Sequence, residues 1–259
     1  KVLTGQRAKA VEVSGQNKTL ILVNAEGSQS LIEFDKLIIA LGRKAKTSGF
    51  GLEALGVELN PNGTVMVDDF LRTNFPNIYA IGDVAGPYQF THTASHMAWY
   101  ASVNALFGSF RKFRIDYSVI PWATFCSPEV ARVGINEREA QSQGIDYDVA
   151  TYDVADLDRA IADDEASGMV KVLVGKGNDQ ILGVTIAAKN AGDLISEFVL
   201  AMKYGIGLKK ILSTIHIYPT YAEMNKFVAS EWRKSNKPEW VLAIAEHYHR
   251  WRRVGLGSS

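Results

Sequence analysis

Apolar and polar positions alternate at the start of the chain: Ala10-Val11-Glu12-Val13, then Thr19-Leu20-Ile21-Leu22-Val23, then Gln29 to Phe34. Turn-formers at Gly15-Gln16-Asn17 and Glu26-Gly27-Ser28 separate the three pieces. A period of two between such turns predicts a small antiparallel meander. The pattern then changes. Lys36-Leu37-Ile38-Ile39-Ala40-Leu41-Gly42 is a continuous apolar run closed by glycine, which predicts a strand buried on both faces. Leu52 to Val57 reads as a short helix or turn, Asn60-Pro61-Asn62-Gly63 as a turn and Val65-Met66-Val67 as a short strand. Ile78-Tyr79-Ala80-Ile81 predicts a second buried strand, ending on Gly82-Asp83. After a loop at Ala85-Gly86-Pro87, the recurrence of Ala94, Met97, Ala98, Ala101, Ala105 and Leu106 predicts a helix from Phe90 to Phe107.

A charged linker, Arg111 to Asp116, marks a change of character. Beyond it, Trp122 to Phe125 and Ala131 to Gly134 read as strands. Asn136 with Glu139 has the spacing of a capping box, which predicts a helix start. Gly168 to Val174 and Gln180 to Ala187 predict a hairpin across Gly175-Lys176-Gly177-Asn178. Ala191 to Tyr204, stopped by Gly205, predicts an amphipathic helix. Leu208 to Leu212 and Tyr221 to Arg233 predict two more. This half is therefore α+β, an antiparallel sheet with helices on one face.

With 259 residues, 47% of them hydrophobic, the chain can bury a sizeable core and form two domains. The formal net charge of +0 argues against a nucleic-acid partner held by bulk charge. No apolar run reaches the roughly 18 residues of a membrane span. The single cysteine, Cys126, forms no internal disulfide and no multi-cysteine metal site, and it reads as a structural thiol. A reducing, cytoplasmic setting fits that usage. The opening Lys1-Val2-Leu3-Thr4 is neither an initiator Met nor a signal peptide and reads as an internal stretch of a larger protein.

Ile81-Gly82-Asp83 is the first chemical candidate. A strand that ends in Gly-Asp delivers a carboxylate to a sheet edge, where open α/β sheets bind ligands. Glycine admits a ligand close to the backbone, and Asp83 can accept hydrogen bonds from sugar-like hydroxyls. The following helix offers its N-terminal amides. On these residues alone, a plain Gly-Asp turn is as good a reading. A second candidate is Ile215-His216-Ile217-Tyr218-Pro219-Thr220, with Glu223 just after it. The tail from Lys237 carries Trp240, Ile244, Tyr248 and Trp251 on one helical stripe beside Arg250, Arg252 and Arg253. A basic aromatic helix can lie on anionic lipid, though such stripes more often pack on their own domain or on a dimer partner.

Taken together, Leu37 to Arg43, Thr73 to Val84, Phe125 to Gly134, Gly168 to Lys171, Ile181 to Val184 and Tyr218-Pro219-Thr220 with Glu223 resemble the class I pyridine nucleotide-disulfide oxidoreductases, over residues 1 to 235. That superfamily includes dihydrolipoamide dehydrogenase, glutathione reductase and mercuric reductase. The resemblance implies a fold that is α/β plus α+β, a partial Rossmann-like portion followed by a C-terminal interface domain. It divides the chain into the end of an NAD(P)-binding domain (1–36), the later part of an FAD-binding domain (37–112), a dimerisation domain (113–235) and a helical tail (236–259). It implies FAD and NAD(P)H as cofactors, a homodimer, and a small-molecule disulfide or thiol-bound metal as substrate. Asp83, with Gly82, would bind the ribityl hydroxyls of FAD. Gln89, Phe90, Thr91 and His92 would lie against the flavin, and Gly42 near the nicotinamide. His92 equally suits a satisfied histidine at a helix start.

One departure matters. In the thiol-specific members the residue before Pro-Thr is a histidine base, oriented by a glutamate five residues on. Here Glu223 keeps its place but Tyr218 replaces the histidine. A phenol with a pKa of about 10 is a poor base at neutral pH. Mercuric reductase is similar in having a tyrosine near this site, so the segment resembles that branch more than a lipoamide enzyme. His216, two residues earlier, is a candidate substitute base or a histidine packed under the turn. The chain contains no Gly-x-Gly-x-x-Gly turn and no cysteine pair, both of which the family uses. By itself it is expected to be inactive and to hold FAD weakly.

Overall fold

The N-terminal alternation builds the meander it predicts. Strands β1 (Gln6–Ser14), β2 (Asn17–Asn24) and β3 (Gln29–Glu33) pair antiparallel in the order β1-β2-β3. The computed structural model describes residues 1–237 and 239–255. The meander lies in the first of two compact units, Lys1–Lys46, and the rest of the chain forms the second, Thr47–Ser259.

The apolar run Lys36 to Gly42, read from sequence as a buried strand, forms none, and Ile38 is 89% exposed. A strand exists only where a neighbour completes its hydrogen-bond ladder, and no described segment does so here. Val65–Val67 and Ile78–Ile81 are likewise not strands. Each makes a single isolated bridge, Leu59 with Val65 and Arg72 with Tyr79. Val65 and Ala80 of these segments are still buried, in a core with Val57, Leu71, Ala85, Met97, Ala101 and Ile115. Helix α1 (Leu52–Leu55) borders this core, and α2 (Thr91–Phe107) contributes Met97 and Ala101 to it. At the far end of α2, the buried Asn104 accepts from the Phe113 amide at 2.8 Å and donates to the Phe113 carbonyl at 2.8 Å. The linker after α2 is thereby tied back to the helix. It is also held at Asp116, whose carboxyl the Lys203 ammonium and the Ser118 hydrogen bonds keep well below the usual carboxylate range.

The second half is a five-stranded antiparallel sheet, ordered β4-β5-β8-β7-β6. Its strands are β4 (Pro121–Thr124), β5 (Glu129–Gly134), β6 (Tyr147–Asp153), β7 (Met169–Gly175) and β8 (Ile181–Ala188). The hairpin β7–β8 appears where predicted, and edge strand β6 is an addition. Val170, Val172 and Val174 share one face with Val184 and Ile186. That face is covered by helices α5 (Ala191–Leu194), α6 (Ser196–Lys203), α7 (Leu208–Ser213) and α8 (Glu223–Ser235) through Phe198, Leu208, Met224 and Val228. Burial of each such side chain stabilises by about 1.5–3 kcal/mol. The predicted helix Ala191 to Tyr204 is thus two segments meeting at Ile195. Helix α3 (Glu137–Ser142) starts on the predicted capping box, with Asn136 accepting from the Glu139 amide and Glu139 accepting from the Asn136 amide. A short α4 (Asp158–Ala162) follows β6, and α9 (Glu239–Gly255) ends the described chain.

Candidate functional site

Gly82 opens a tight single-turn helix, Gly82–Val84, that carries Asp83. Its φ of +70° lies in the left-handed region, and a Cβ there would sit 3.1 Å from the Cβ of Ala94. Only glycine lets this turn lie so close to α2. The Gly82 amide donates to the Met97 thioether at 3.3 Å, which docks the turn on the middle of α2. Asp83 is therefore fixed on a rigid corner beside the start of a 17-residue helix.

The first turn of α2 has no side-chain cap, so its leading amides are directed outward without a partner from Phe90. The hydroxyl of Thr93, in the same turn, is buried without a protein partner. Aromatic rings flank this end. Phe90 stacks on His92 with centroids 5.1 Å apart, and on Trp122 at 6.4 Å. His92 Nε2 lies 2.9 Å from the Pro121 carbonyl, which joins α2 to β4. That contact favours the reading of His92 as a satisfied histidine. A cavity of about 770 Å3 lies here, lined by Phe90, Thr91, His92 and Ser95 of α2's start, Trp122 and Phe125 near β4, and Asp193 and Ser196 beyond β8. Gln89 is exposed just ahead of this end. Gly42, with a φ of +101°, belongs to the first unit, and Asp83 to the second.

The second candidate cluster separates into two pairs. The His216 side chain is only 6% exposed, with Nε2 3.0 Å from Glu197 Oε1 and Nδ1 3.1 Å from the Thr214 carbonyl. Glu197 also accepts from Asn225 Nδ2 at 2.9 Å. Tyr218 is 66% exposed, and its hydroxyl donates to Asp158 Oδ2 at 3.0 Å. That bond raises the phenol above its ordinary pKa. Glu223, buried at the start of α8, accepts from the Thr220 amide at 3.2 Å and so serves the Pro-Thr turn. His216 and Tyr218 do not face one side: one ring is packed inside and the other faces out. Glu197 and Asp158, the partners that define both pairs, were not singled out from sequence. They are distant in the chain, and only the tertiary fold brings them near.

Residues 120–228 match the dimerisation domain of the pyridine nucleotide-disulphide oxidoreductases, and residues 1–98 match the pyridine nucleotide-disulphide oxidoreductase domain itself. The chain belongs to this family. Among its family relatives are the dihydrolipoyl dehydrogenase of Chlamydia muridarum and the mercuric reductase of Lysinibacillus sphaericus. The first is 35% identical over 222 residues, 86% of this chain and 46% of that protein. The second is 36% identical over 242 residues, 93% of this chain and 43% of that protein. The Cu(II) complex of the HOCl-induced flavoprotein disulfide reductase RclA from Escherichia coli superposes with a TM-score of 0.77 at 26% identity, over 86% of this chain and 49% of that one. The chain thus spans about half the length of the family members it matches. Among the described residues, no helix is long and apolar enough to cross a membrane.

Proposed function

We propose that this chain is the cofactor-closing and dimer-forming part of an FAD- and NAD(P)H-dependent disulfide reductase. The observation that carries the reading is the Gly82–Asp83 corner docked on the middle of α2 through Met97, on a helix whose start is uncapped. The donor set suits FAD: the uncapped amides at the start of α2 for polar ring atoms, the Asp83 carboxylate for ribityl hydroxyls, and the Phe90 and Trp122 rings at the helix start. Asp83 and Gly82 would hold the ribityl chain, and the start of α2, from Phe90 to Thr93, the ring. The chemistry FAD supplies when bound is acceptance of a hydride from NAD(P)H and delivery of the electron pair to a disulfide or thiol-bound metal. Gly42 would lie near the nicotinamide, and the domain limits would fall at 1–36, 37–112 and 113–235.

The chain's own residues contribute positioning. Tyr218 holds its proton on Oη toward Asp158, so across neutral pH it is a neutral hydrogen-bond donor and a poor base. Both ring nitrogens of His216 already face acceptors, Glu197 and Thr214, which supports a structural role. Neither residue then supplies a thiol base, a pattern that supports a thiol-bound metal or a disulfide other than dihydrolipoamide as substrate. Ile215 and Ile217 are strongly exposed on the same segment, a surface that an isologous contact with a second copy would bury.

The test is a flavin absorbance spectrum, with light scattering, on the full-length protein that contains this chain. A yellow dimer whose flavin content falls at least about tenfold in Asp83→Ala supports the reading, tenfold being about 1.4 kcal/mol of lost binding. A colourless dimer favours the rival reading, in which the matched dimerisation domain is the whole function. Flavin present with no disulfide reduction favours an electron-transfer reductase.

A further inference from the structure

Helix α9 carries an apolar stripe that the rest of the described chain leaves open. Trp240, Ile244, Tyr248 and Trp251 recur at helical spacing and share one side of α9. They are 65%, 60%, 49% and 68% exposed. The expectation that such a stripe packs on its own domain is therefore not met. Four large side chains in a row, three of them aromatic, form a patch that a soluble surface rarely presents without an occupant.

The charge along α9 is uneven, and it decides between occupants. Both acids, Glu239 and Glu246, come before His247. From His247 to Arg253 there are three arginines and two histidines with no acid, interleaved with Tyr248 and Trp251. Arg250 is partly neutralised by Glu246 at 2.7 Å. The Arg252 guanidinium lies 5.9 Å from the Tyr248 ring centroid, so charge sits directly beside the apolar stripe. A second copy of α9 would bring the same excess of positive charge. An anionic lipid surface neutralises it, accepts indole and phenol rings at headgroup depth, and offers phosphates that fit the guanidinium fork. At 17 residues with three arginines, α9 suits lying in the interface plane rather than crossing it.

We propose that α9 is a docking helix for anionic phospholipid, with Trp240, Ile244, Tyr248 and Trp251 at the headgroup–acyl boundary and Arg250, Arg252 and Arg253 against phosphate. The test is flotation of the full chain with vesicles of phosphatidylcholine and phosphatidylserine in equal parts, beside vesicles of phosphatidylcholine alone. Co-flotation is expected with the mixed vesicles only, and is lost in about 1 M salt, where the Debye length falls to about 3 Å. Each of R250Q, R252Q and R253Q is expected to lower the partition by about fivefold. Trp251→Ser is expected to lower it by about tenfold. All four side chains are exposed, so unchanged helix content in the variants checks that the fold is kept. Equal flotation with both vesicle types, no flotation, or insensitivity to all three arginine variants overturns the proposal. So does a dimer that Trp251→Ser splits while neither vesicle binds, since α9 then serves a second copy.

Discussion

The imidazole Nε2 of His216 lies 3.0 Å from Oε1 of Glu197, and the same carboxylate accepts from Asn225 Nδ2 at 2.9 Å. One acid on α6 thus holds both the segment before the Pro-Thr turn and the first turns of α8. Glu197→Leu leaves two buried polar groups without that partner, at a cost of about 1–3 kcal/mol each. Urea unfolding is expected to show a lower midpoint with an unchanged slope. Glu197→Gln, which keeps an acceptor, is expected to lose less. A midpoint unmoved by Glu197→Leu would show that the network does not hold the turn.

Tyr218 differs from His216 in being exposed and in having a single carboxylate partner. Asp158→Ala removes the bond that raises its phenol. The titration of Tyr218, followed by tyrosinate absorbance against a Tyr218→Phe reference, is expected to move down toward the ordinary tyrosine range. Stability should change by no more than about 0.5 kcal/mol, as for a surface substitution.

Tyr152 gives a pH dependence. Burial, then the charges of Asp156, Asp158 and Glu223, push its phenol up to about 12 from 10.0. The folded state therefore holds this proton after the unfolded chain has lost it. The associated stability is fully present below pH 10.0 and is lost as pH rises toward about 12. Tyr152→Phe is expected to flatten the fall in urea midpoint over that window while keeping the ring contact with Phe227, whose centroid is 5.2 Å away.

Asn136→Ala removes the cap of α3. The loss is expected to be about 1 kcal/mol in urea unfolding, with Asn136→Ser close to the parent.

What could be read in the sequence divides along a physical line. The meander, the β7–β8 hairpin and the Asn136–Glu139 box depend on neighbours a few residues apart, and all three appear as expected. The runs Lys36 to Gly42 and Ile78 to Ile81 announced a tendency to burial, but a ladder needs partners that sequence periodicity does not name. Strand β6 was missed because Tyr147-Asp148-Val149-Ala150-Thr151-Tyr152-Asp153 places Val149 and Ala150 side by side and breaks the alternation. The Gly82–Asp83 corner was legible as a candidate. Its docking on Met97 and the uncapped start of α2 were not, since both follow from packing. The partners of His216 and Tyr218 lie 19 and 60 residues away, beyond any local pattern.

The central claim is that the Asp83 corner serves a flavin that moves electrons from a nicotinamide to a disulfide or thiol-bound metal. Its most direct test is an anaerobic titration of the full-length protein followed by flavin absorbance. NADH or NADPH is expected to bleach the flavin, and a small disulfide or a thiol-bound mercuric ion to restore the colour. Loss of flavin in Asp83→Ala should abolish both changes. A flavin that neither nicotinamide bleaches, or one that neither acceptor re-oxidises, would contradict the account.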